Sequence, residues 1–490
     1  MRSESGSVRS SALPEQDGAT PLTGLADLAE AIRCGDRSAG EVIEESLHRI
    51  RTLDPTLNAF CTVDEEGARS RAAEVDRRIA AGESVGPLAG VPVGVKDLIC
   101  TQGMRTTGGS VLYADFIPDE DDVVVELLRK ADAVIVGKTN AAEFGYGAIG
   151  HNDLFPTTRN PWNTALTSGG SSAGSAAAVS AGMVPLALGT DGGGSIRIPA
   201  SLSGVFGMKP SWGRVPLYPG CRDERYPGLS GWESLEHIGP ITHTAADAAL
   251  ALSVLSQPSA RDRFSMPPTP DQWDLTQRLE SLSRCRVAFS VDLGSALVDR
   301  EVRVAVEDAV RRLQGVIPEV DRAHPGTGSN ETTFEAIVAM ETDRSGLRAL
   351  AASKGVAIKG WLGSIIERQW TGDEFTAAIL DRKRIVNATW RFMENYDFFI
   401  TPTTAVPAFP IDSYGPETIE GHELPPSGWT PFSTLANFTG LPAASIPIGF
   451  TKQGLPIGIQ VMGRHLDDQG VLALATLVES LFPLPTRPPI

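Results

Sequence analysis

The chain has 490 residues, enough to bury a sizeable core in one large domain or in two to three ordinary ones. Hydrophobic residues make up 41% of it and charged residues 21%, which excludes a coiled coil or a low-complexity chain. The formal net charge of −17 argues against direct binding to nucleic acid or to an anionic membrane surface.

The N-terminal residues 1–21 contain no apolar run, which predicts a flexible tail rather than a signal peptide or a membrane anchor. The five cysteines show no Cys-x-x-Cys motif, so neither a disulfide framework nor a cysteine metal clamp is expected. No apolar stretch is long enough for a membrane-spanning helix. These features predict a cytoplasmic protein that contacts neither membrane nor nucleic acid.

Helical periodicity predicts an N-terminal helical segment over residues 22–85. At residue 86 the pattern changes to small and β-branched residues, which predict a buried strand that ends at Lys96. Strands then alternate with helices, so residues 86–490 are expected to form an α/β core, with a variable and largely helical region around 256–395. The expected elements are a helix over 123–131, a strand over 133–138, an Ala-rich helix over 172–183 and strands over 184–188, 398–400 and 444–448.

Residues 167–210 interleave glycines and serines with an Ala-rich helix and a buried strand, a pattern that indicates a site of binding or reaction. The run Asp-Gly-Gly-Gly-Ser at 191–195 precedes a predicted helix. Its backbone N–H groups and the helix N-terminus would favour an anion formed beside the serine, as acyl transfer requires. A tight glycine turn that holds a structural serine is the alternative, and the short motif alone favours it.

The motif Gly-x-Ser-x-Gly at 170–174 also fits the nucleophile elbow of an α/β-hydrolase esterase, with Ser172 as the nucleophile. That elbow needs a strand running into the serine, whereas residues 160–167 contain a proline and little β pattern. A phosphate-binding loop is excluded because neither glycine cluster is followed by Gly-Lys-Ser/Thr. The spacing also lacks a dinucleotide-binding fingerprint.

The chain resembles the amidase signature family over about residues 22–480, most densely over 86–210. Separated motifs in the family's order carry this resemblance, and they imply the family fold, a single large α/β/α domain with a central mixed β-sheet between α-helices. These motifs are Gly90-Val91-Pro92-Val93-Gly94-Val95-Lys96-Asp97, Gly137-Lys138-Thr139-Asn140, Arg159-Asn160-Pro161-Trp162, Gly169-Gly170-Ser171-Ser172-Ala173-Gly174-Ser175, Gly189-Thr190-Asp191 and Gly207-Met208-Lys209-Pro210.

The resemblance implies Ser195 as the nucleophile, Ser171 as a bridging serine that follows a cis peptide bond, and Lys96 as the general base. The implied reaction is hydrolysis of an amide bond in a small molecule to a carboxylate plus an amine or ammonia, through a serine acyl-enzyme. Family members also cleave carbamates, ureido compounds and some esters. No cofactor is expected, and no His, Cys or Glu grouping has the spacing of a metal site.

The residues around Lys96 favour its role as a base independently of the family resemblance. A serine hydroxyl is a weak nucleophile until a base takes its proton, and a lysine acts as that base only when uncharged. Lowering a lysine pKa from about 10.4 to near 7 requires about 4 kcal/mol, which burial at the end of an apolar strand can supply. Lys96 has that setting, because Val91, Val93 and Val95 precede it.

Further site residues are expected around this triad. Arg197 is expected to structure the glycine loop by pairing with Asp191. The expected oxyanion hole comprises the backbone N–H groups of Gly192, Gly193, Gly194 and Ser195. Candidate substrate-binding residues are Gly145, Tyr146, Gly147 and Ser172.

Two alternatives remain besides the esterase. The glutaminase subunit of a tRNA-dependent amidotransferase resembles the same family and would need partner subunits, but its Gly-Tyr-rich signature is not visible between residues 365 and 395. A non-catalytic family member acting as a binding module is disfavoured, because Lys96, Ser171 and Ser195 are all present. The expected partner is a small-molecule amide, and a homodimer is left open.

Overall fold

The computed structural model describes residues 24–220, 223–229, 231–268, 273–484 and 488–490. The flexible tail expected at 1–21 therefore lies outside the described residues. The strands are β1 Phe60–Val63, β2 Pro92–Lys96, β3 Val134–Thr139, β4 Arg159–Asn160, β5 Asn163–Thr167, β6 Leu186–Thr190, β7 Phe206–Lys209, β8 Ile238–Thr242, β9 Arg286–Phe289, β10 Glu319–Arg322, β11 Phe398–Pro402, β12 Thr418–Ile419, β13 His422–Glu423, β14 Ala443–Phe450 and β15 Pro456–Gly463.

Helices fill most of the chain between these strands. Two of the longer ones begin at capping boxes, in which Ser38 and Thr371 accept a backbone hydrogen bond from the helix that follows. The helices are α1 Leu25–Arg33, α2 Ala39–Leu57, α3 Glu65–Ala80, α4 Val123–Lys130, α5 Ala173–Ser180, α6 Arg197–Ser203, α7 Ala245–Leu255, α8 Thr276–Ser281, α9 Arg300–Leu313, α10 Glu331–Glu341, α11 Arg344–Lys354, α12 Gly360–Glu367, α13 Gly372–Met393, α14 Thr434–Thr439 and α15 Asp468–Leu481.

An 11-stranded sheet runs through the described structure in the order β1-β3-β2-β6-β8-β7-β14-β15-β11-β9-β10. Parallel pairs join β3, β2 and β6, and also β11, β9 and β10, while the remaining pairs are antiparallel. The sheet is therefore mixed. Because β2 and β6 are parallel neighbours, their C-terminal ends meet at the same edge, and the candidate active site lies there.

Helices pack on both faces of the sheet, as the alternation of side chains along β3 shows. Val134 and Val136 pack in one core with α2, α3 and α5. Ile135 points the other way, into a core that includes α4, α7 and α15. A third core joins α10 to α13 with Phe399 and Met462 of the sheet. The expected α/β/α arrangement is confirmed.

Some strands were not predicted by the sequence pattern. The segment expected to be helical over 22–85 also contains β1, and the region 256–395 contains β9 and β10 among its helices. Strand β8 was missed because glycine and proline, which weaken a β pattern, stand at positions 239 and 240. No helix in the described part of the chain combines the length and the apolar character needed to cross a bilayer.

Candidate active site

Lys96 is the last residue of β2, and its side chain is fully buried. Its Nζ donates a hydrogen bond to Ser171 Oγ at 2.8 Å and another to Thr190 Oγ1 at 2.7 Å. Thr190 ends β6, so the parallel pairing of β2 with β6 brings these two residues together. The lysine amine is thus held between two hydroxyl groups at the edge of the sheet.

Burial lowers the pKa of Lys96 to about 8, because a buried cation loses its hydration. The negative charges of Glu236 and Asp191 act in the opposite direction and raise it. The uncharged amine is consequently the major form of Lys96 above about pH 8, and it is appreciably populated just below that pH.

Ser171 lies directly above the lysine. The peptide bond between Gly170 and Ser171 is cis, and the side chain of Ser171 is buried. A Cβ atom on Gly145 would lie 3.5 Å from Ser171 Oγ, and Gly145 has a φ of +81°, which favours glycine over any other residue. Glycine at position 145 therefore lets this backbone segment approach the Ser171 hydroxyl.

Ser195 lies two residues before α6 and is 8% exposed. It lines a single cavity together with Ser171, Thr190 and Gly192. No described residue forms a hydrogen bond with the Ser195 hydroxyl. The structure thus brings Ser171 and Ser195 to one cavity, with the Lys96 amine bonded to Ser171 from behind.

The glycine loop before Ser195 differs in two respects from the expected oxyanion hole. The N–H group of Gly194 donates to Asp191 Oδ1 at 2.7 Å, so this N–H already has a partner. The N–H groups of Gly192, Gly193 and Ser195 have no hydrogen-bond partner among the described residues. Of these three residues, Gly192 and Ser195 line the cavity, whereas Gly193 does not.

Asp191 and Arg197 fix the shape of this loop, as the sequence predicted. Both side chains are fully buried, and two guanidinium nitrogens donate to the carboxylate at 2.8 and 2.9 Å. Asp191 also accepts a bond from Asn437 Nδ2 at 2.9 Å. Burial alone would raise the pKa of Asp191, but Arg197 and Asn437 keep it below its ordinary value. The carboxylate therefore stays charged and holds the loop.

We expect Arg197→Met to lower the free energy of unfolding by about 3–5 kcal/mol, because the charge on Asp191 would remain buried without its partner. Chemical denaturation of the wild type and the variant measures this difference. Arg311→Met is the matched control, since Arg311 forms an exposed pair with Asp308. The control should lose no more than about 1 kcal/mol. Equal losses in both variants would contradict the role given to Arg197.

Ser172 does not lie where the esterase alternative requires it. Its side chain is fully buried, donates to the carbonyl oxygen of Thr190 at 3.1 Å and accepts from the Thr190 N–H at 3.2 Å. Strand β5 precedes it but ends at Thr167, and it pairs with β4 in a two-stranded sheet separate from the large one. The hydroxyl of Ser172 thus tethers α5 to β6 and does not line the cavity.

Of the other three candidate substrate-binding residues, two line the cavity and one does not. Gly145 and Tyr146 line the cavity, whereas Gly147 does not. The Tyr146 hydroxyl lies 2.5 Å from Thr342 Oγ1, and its ring packs edge-to-face against Trp232 with 4.7 Å between ring centroids. Tyr146 therefore forms part of an aromatic wall.

Sequence reasoning missed the residues that cover the glycine loop from the variable helical region. Phe334 of α10 stacks with Trp361 of α12 at 6.1 Å, and its ring edge lies 2.7 Å from where a Cβ on Gly193 would be. Glu236, which sequence reasoning also missed, lines the cavity, as does Trp232 at the end of an aromatic-rich loop. In the sequence, aromatic residues on amphipathic helices look like ordinary core residues, so no local signal distinguishes them.

His237 is a buried structural residue. Its Nδ1 lies 2.7 Å from the carbonyl oxygen of Leu235, and burial lowers the pKa of this histidine well below its ordinary value. It does not line the cavity. Within the described ranges, no three His, Cys, Asp or Glu side chains form a group suited to a metal ion.

Comparisons with known proteins identify the family of the chain. Residues 41–472 match the Amidase family. The chain is 34% identical to a subunit of the glutamyl-tRNA(Gln) amidotransferase of Myxococcus xanthus, covering 94% of this chain and 97% of that protein. It is 33% identical to an acylamidase of Rhodococcus erythropolis, covering 94% and 96%. The crystal structure of a bacterial aryl acylamidase superposes with a TM-score of 0.86 at 30% identity, covering 94% and 97%.

The chain therefore belongs to the amidase signature family of amide-hydrolysing enzymes, as its motifs predicted. The family is shared by amidotransferase subunits and by acylamidases, so membership alone leaves the substrate unassigned.

Proposed function

We propose that this protein hydrolyses the amide bond of a small molecule in the cytoplasm through a serine acyl-enzyme. In this proposal Ser195 is the nucleophile, Ser171 the bridging serine and Lys96 the general base. One observation carries it: a fully buried lysine amine lies 2.8 Å from the Ser171 hydroxyl, behind a cavity that Ser171 and Ser195 both line.

In the acylation step, Ser195 Oγ bonds to the amide carbonyl carbon and passes its proton to Ser171 Oγ. The Ser171 proton passes in turn to the uncharged Nζ of Lys96, so the charge gained there balances the charge on the new oxyanion. The N–H groups of Gly192 and Ser195 bind that oxyanion, and each such donor is worth about 3–4 kcal/mol in known cases. Collapse of the intermediate breaks the C–N bond.

The leaving amine takes the proton back from Lys96 through Ser171, which leaves an ester between Ser195 and the acyl group. A water molecule then attacks this ester while the same two groups accept its proton. As the ester C–O bond breaks, the proton returns from Lys96 through Ser171 to Ser195 Oγ, which regenerates the hydroxyl and releases the carboxylic product. No cofactor enters either step, and the same relay would act on an ester whose acyl group fits the cavity.

The pH dependence of hydrolysis tests this role for Lys96. Because only the uncharged amine accepts a proton, kcat/KM for an amide without ionisable groups should rise with pH and level off above about pH 8. Well below that pH, the rate should fall about tenfold per pH unit. Initial rates with para-nitroacetanilide measure this profile. A rate that does not change between about pH 6 and pH 10 would contradict a neutral-lysine base.

A glutaminase subunit of an amidotransferase is a second candidate, and the 34% identity to such a subunit favours it. The described lining of the cavity contains no arginine, lysine or histidine, whereas the α-carboxylate of glutamine is an anion that usually pairs with a cation. We therefore prefer a small amide other than glutamine as the substrate. Ammonia release from L-glutamine by the isolated chain, or only after partner subunits are added, would favour the second candidate instead.

A further inference from the structure

The cavity above Ser195 contains an unusual acidic group at the side chain of Asp122. Asp122 lies directly before α4, where its Oδ1 accepts the N–H of Val124 at 3.1 Å. Its Oδ2 has no hydrogen-bond partner, although the residue is fully buried. An aspartate at a helix N-terminus needs only one oxygen for capping, so the second oxygen has no structural task here.

Asp122 contributes to the lining of the same cavity as Ser195. Next to it in the lining lies Gly220, where a Cβ atom would come 3.6 Å from Asp122 Oδ2. Because residue 220 has no side chain, none from this position covers the unpartnered oxygen. A buried polar atom without a partner costs free energy, which indicates that a ligand supplies the missing partner.

The remaining lining favours a positively charged group over a neutral or negative one. The rings of Phe144, Tyr146 and Trp232 also line the cavity, and aromatic faces attract cations. Within the described lining no basic side chain opposes this charge.

We propose that the substrate is an amide that carries an ammonium group, and that this group binds Asp122 Oδ2 while the amide bond lies at Ser195. This inference rests on the proposed function, because it assigns a substrate class to the same cavity. Asp122 acts here as a specificity-determining residue and takes no part in the proton relay. The aromatic wall supplies further attraction for the cation.

The titration of Asp122 agrees with this assignment. Burial raises the pKa of Asp122 to about 8, because the charged carboxylate loses its hydration. A bound ammonium group would offset that cost by pairing with the charge. Such pairing would therefore lower the pKa of Asp122.

Matched pairs of amides test the inference. On the acyl side, the para-nitroanilides of β-alanine and δ-aminovaleric acid are compared with those of butanoic and hexanoic acid, in which a methyl group replaces the ammonium group. On the amine side, N-acetylcadaverine is compared with N-acetylhexylamine. We expect the ammonium member of at least one pair to have a kcat/KM about 10- to 100-fold higher, as a hydrogen bond between charged groups allows.

Asp122→Asn should bring this ratio close to one, because asparagine keeps the cap of α4 but loses the charge. Asp299→Asn is the matched control, since Asp299 caps α9 in the same way, with bonds to the N–H groups of Glu301 and Val302, and does not line the cavity. The control should keep the wild-type ratio. Asp122→Ser, another capping residue, serves as a second variant if asparagine impairs folding.

An inhibition experiment needs no variant. Pentylammonium should inhibit hydrolysis of the butanoyl para-nitroanilide by the wild type about tenfold more strongly than pentanol does. Equal rates within every pair, equal inhibition by the two compounds, or an unchanged ratio in Asp122→Asn would each overturn the inference while the proposed function stands. Hydrolysis of none of these amides would overturn the proposed function as well.

Discussion

Replacing Ser195 by alanine is expected to lower kcat by roughly 10⁶-fold, because the atom that bonds to the substrate is removed. The fold should survive, since the Ser195 hydroxyl has no hydrogen bond to any described residue. Steady-state hydrolysis of an aryl amide and thermal unfolding of both proteins measure the two quantities. A fluorophosphonate probe should label the wild type and leave Ser195→Ala unlabelled.

Ser172→Ala is the matched control for this prediction, and it also tests the esterase alternative. The Ser172 hydroxyl is fully buried and bonded to the backbone of Thr190, so its loss should reduce stability by about 1–3 kcal/mol. Its effect on kcat should be far smaller than that of Ser195→Ala. If Ser172→Ala abolished hydrolysis in a folded protein while Ser195→Ala did not, the assignment of the nucleophile would be wrong.

The second large effect is expected from Lys96→Met. Methionine fills similar volume and carries no charge, so the variant should fold at least as well as the wild type, because a buried ammonium group is costly. Hydrolysis should fall by roughly 10²–10⁴-fold, the usual contribution of a general base. The rise of kcat/KM toward about pH 8 should also disappear.

Lys209 provides a control within the same chain. It too is fully buried, and burial lowers its pKa to about 7, but its Nζ donates to the carbonyl oxygen of Pro210 and it does not line the cavity. Lys209→Met should keep the rising limb of the pH profile. If the rise were lost in Lys209→Met and kept in Lys96→Met, the titrating group would be Lys209. That result would contradict the proposed relay.

Sequence reasoning identified the elements that position the relay. Valines before Lys96 predicted a buried strand ending in a lysine, and β2 ends at that residue. The glycines before Ser195 predicted a loop leading into a helix, and α6 begins at Arg197. These inferences succeeded because the signals are local, consisting of β-branched residues in one case and consecutive glycines in the other.

Contacts between distant segments were beyond this reasoning. Thr190 bonds to Lys96 only because β2 and β6 are adjacent in the sheet, and no sequence pattern states that adjacency. Phe334 reaches the glycine loop from a helix about 140 residues further along the chain. Asp122 looks like an ordinary helix cap until the cavity beside it is seen. Gly194 also departs from the expected oxyanion hole, because its N–H donates to Asp191.

The stacked rings of Phe334 and Trp361 come from a different part of the chain than the residues proposed for catalysis. The groups proposed to break the amide bond all come from residues 96–195, whereas these two rings belong to α10 and α12, well beyond that stretch. Both rings pack against Trp232, which lines the cavity, so substitutions in the two helices can shift this wall while the groups of the proposed proton path stay in place. A change in substrate range therefore need not alter the residues of the proposed proton path.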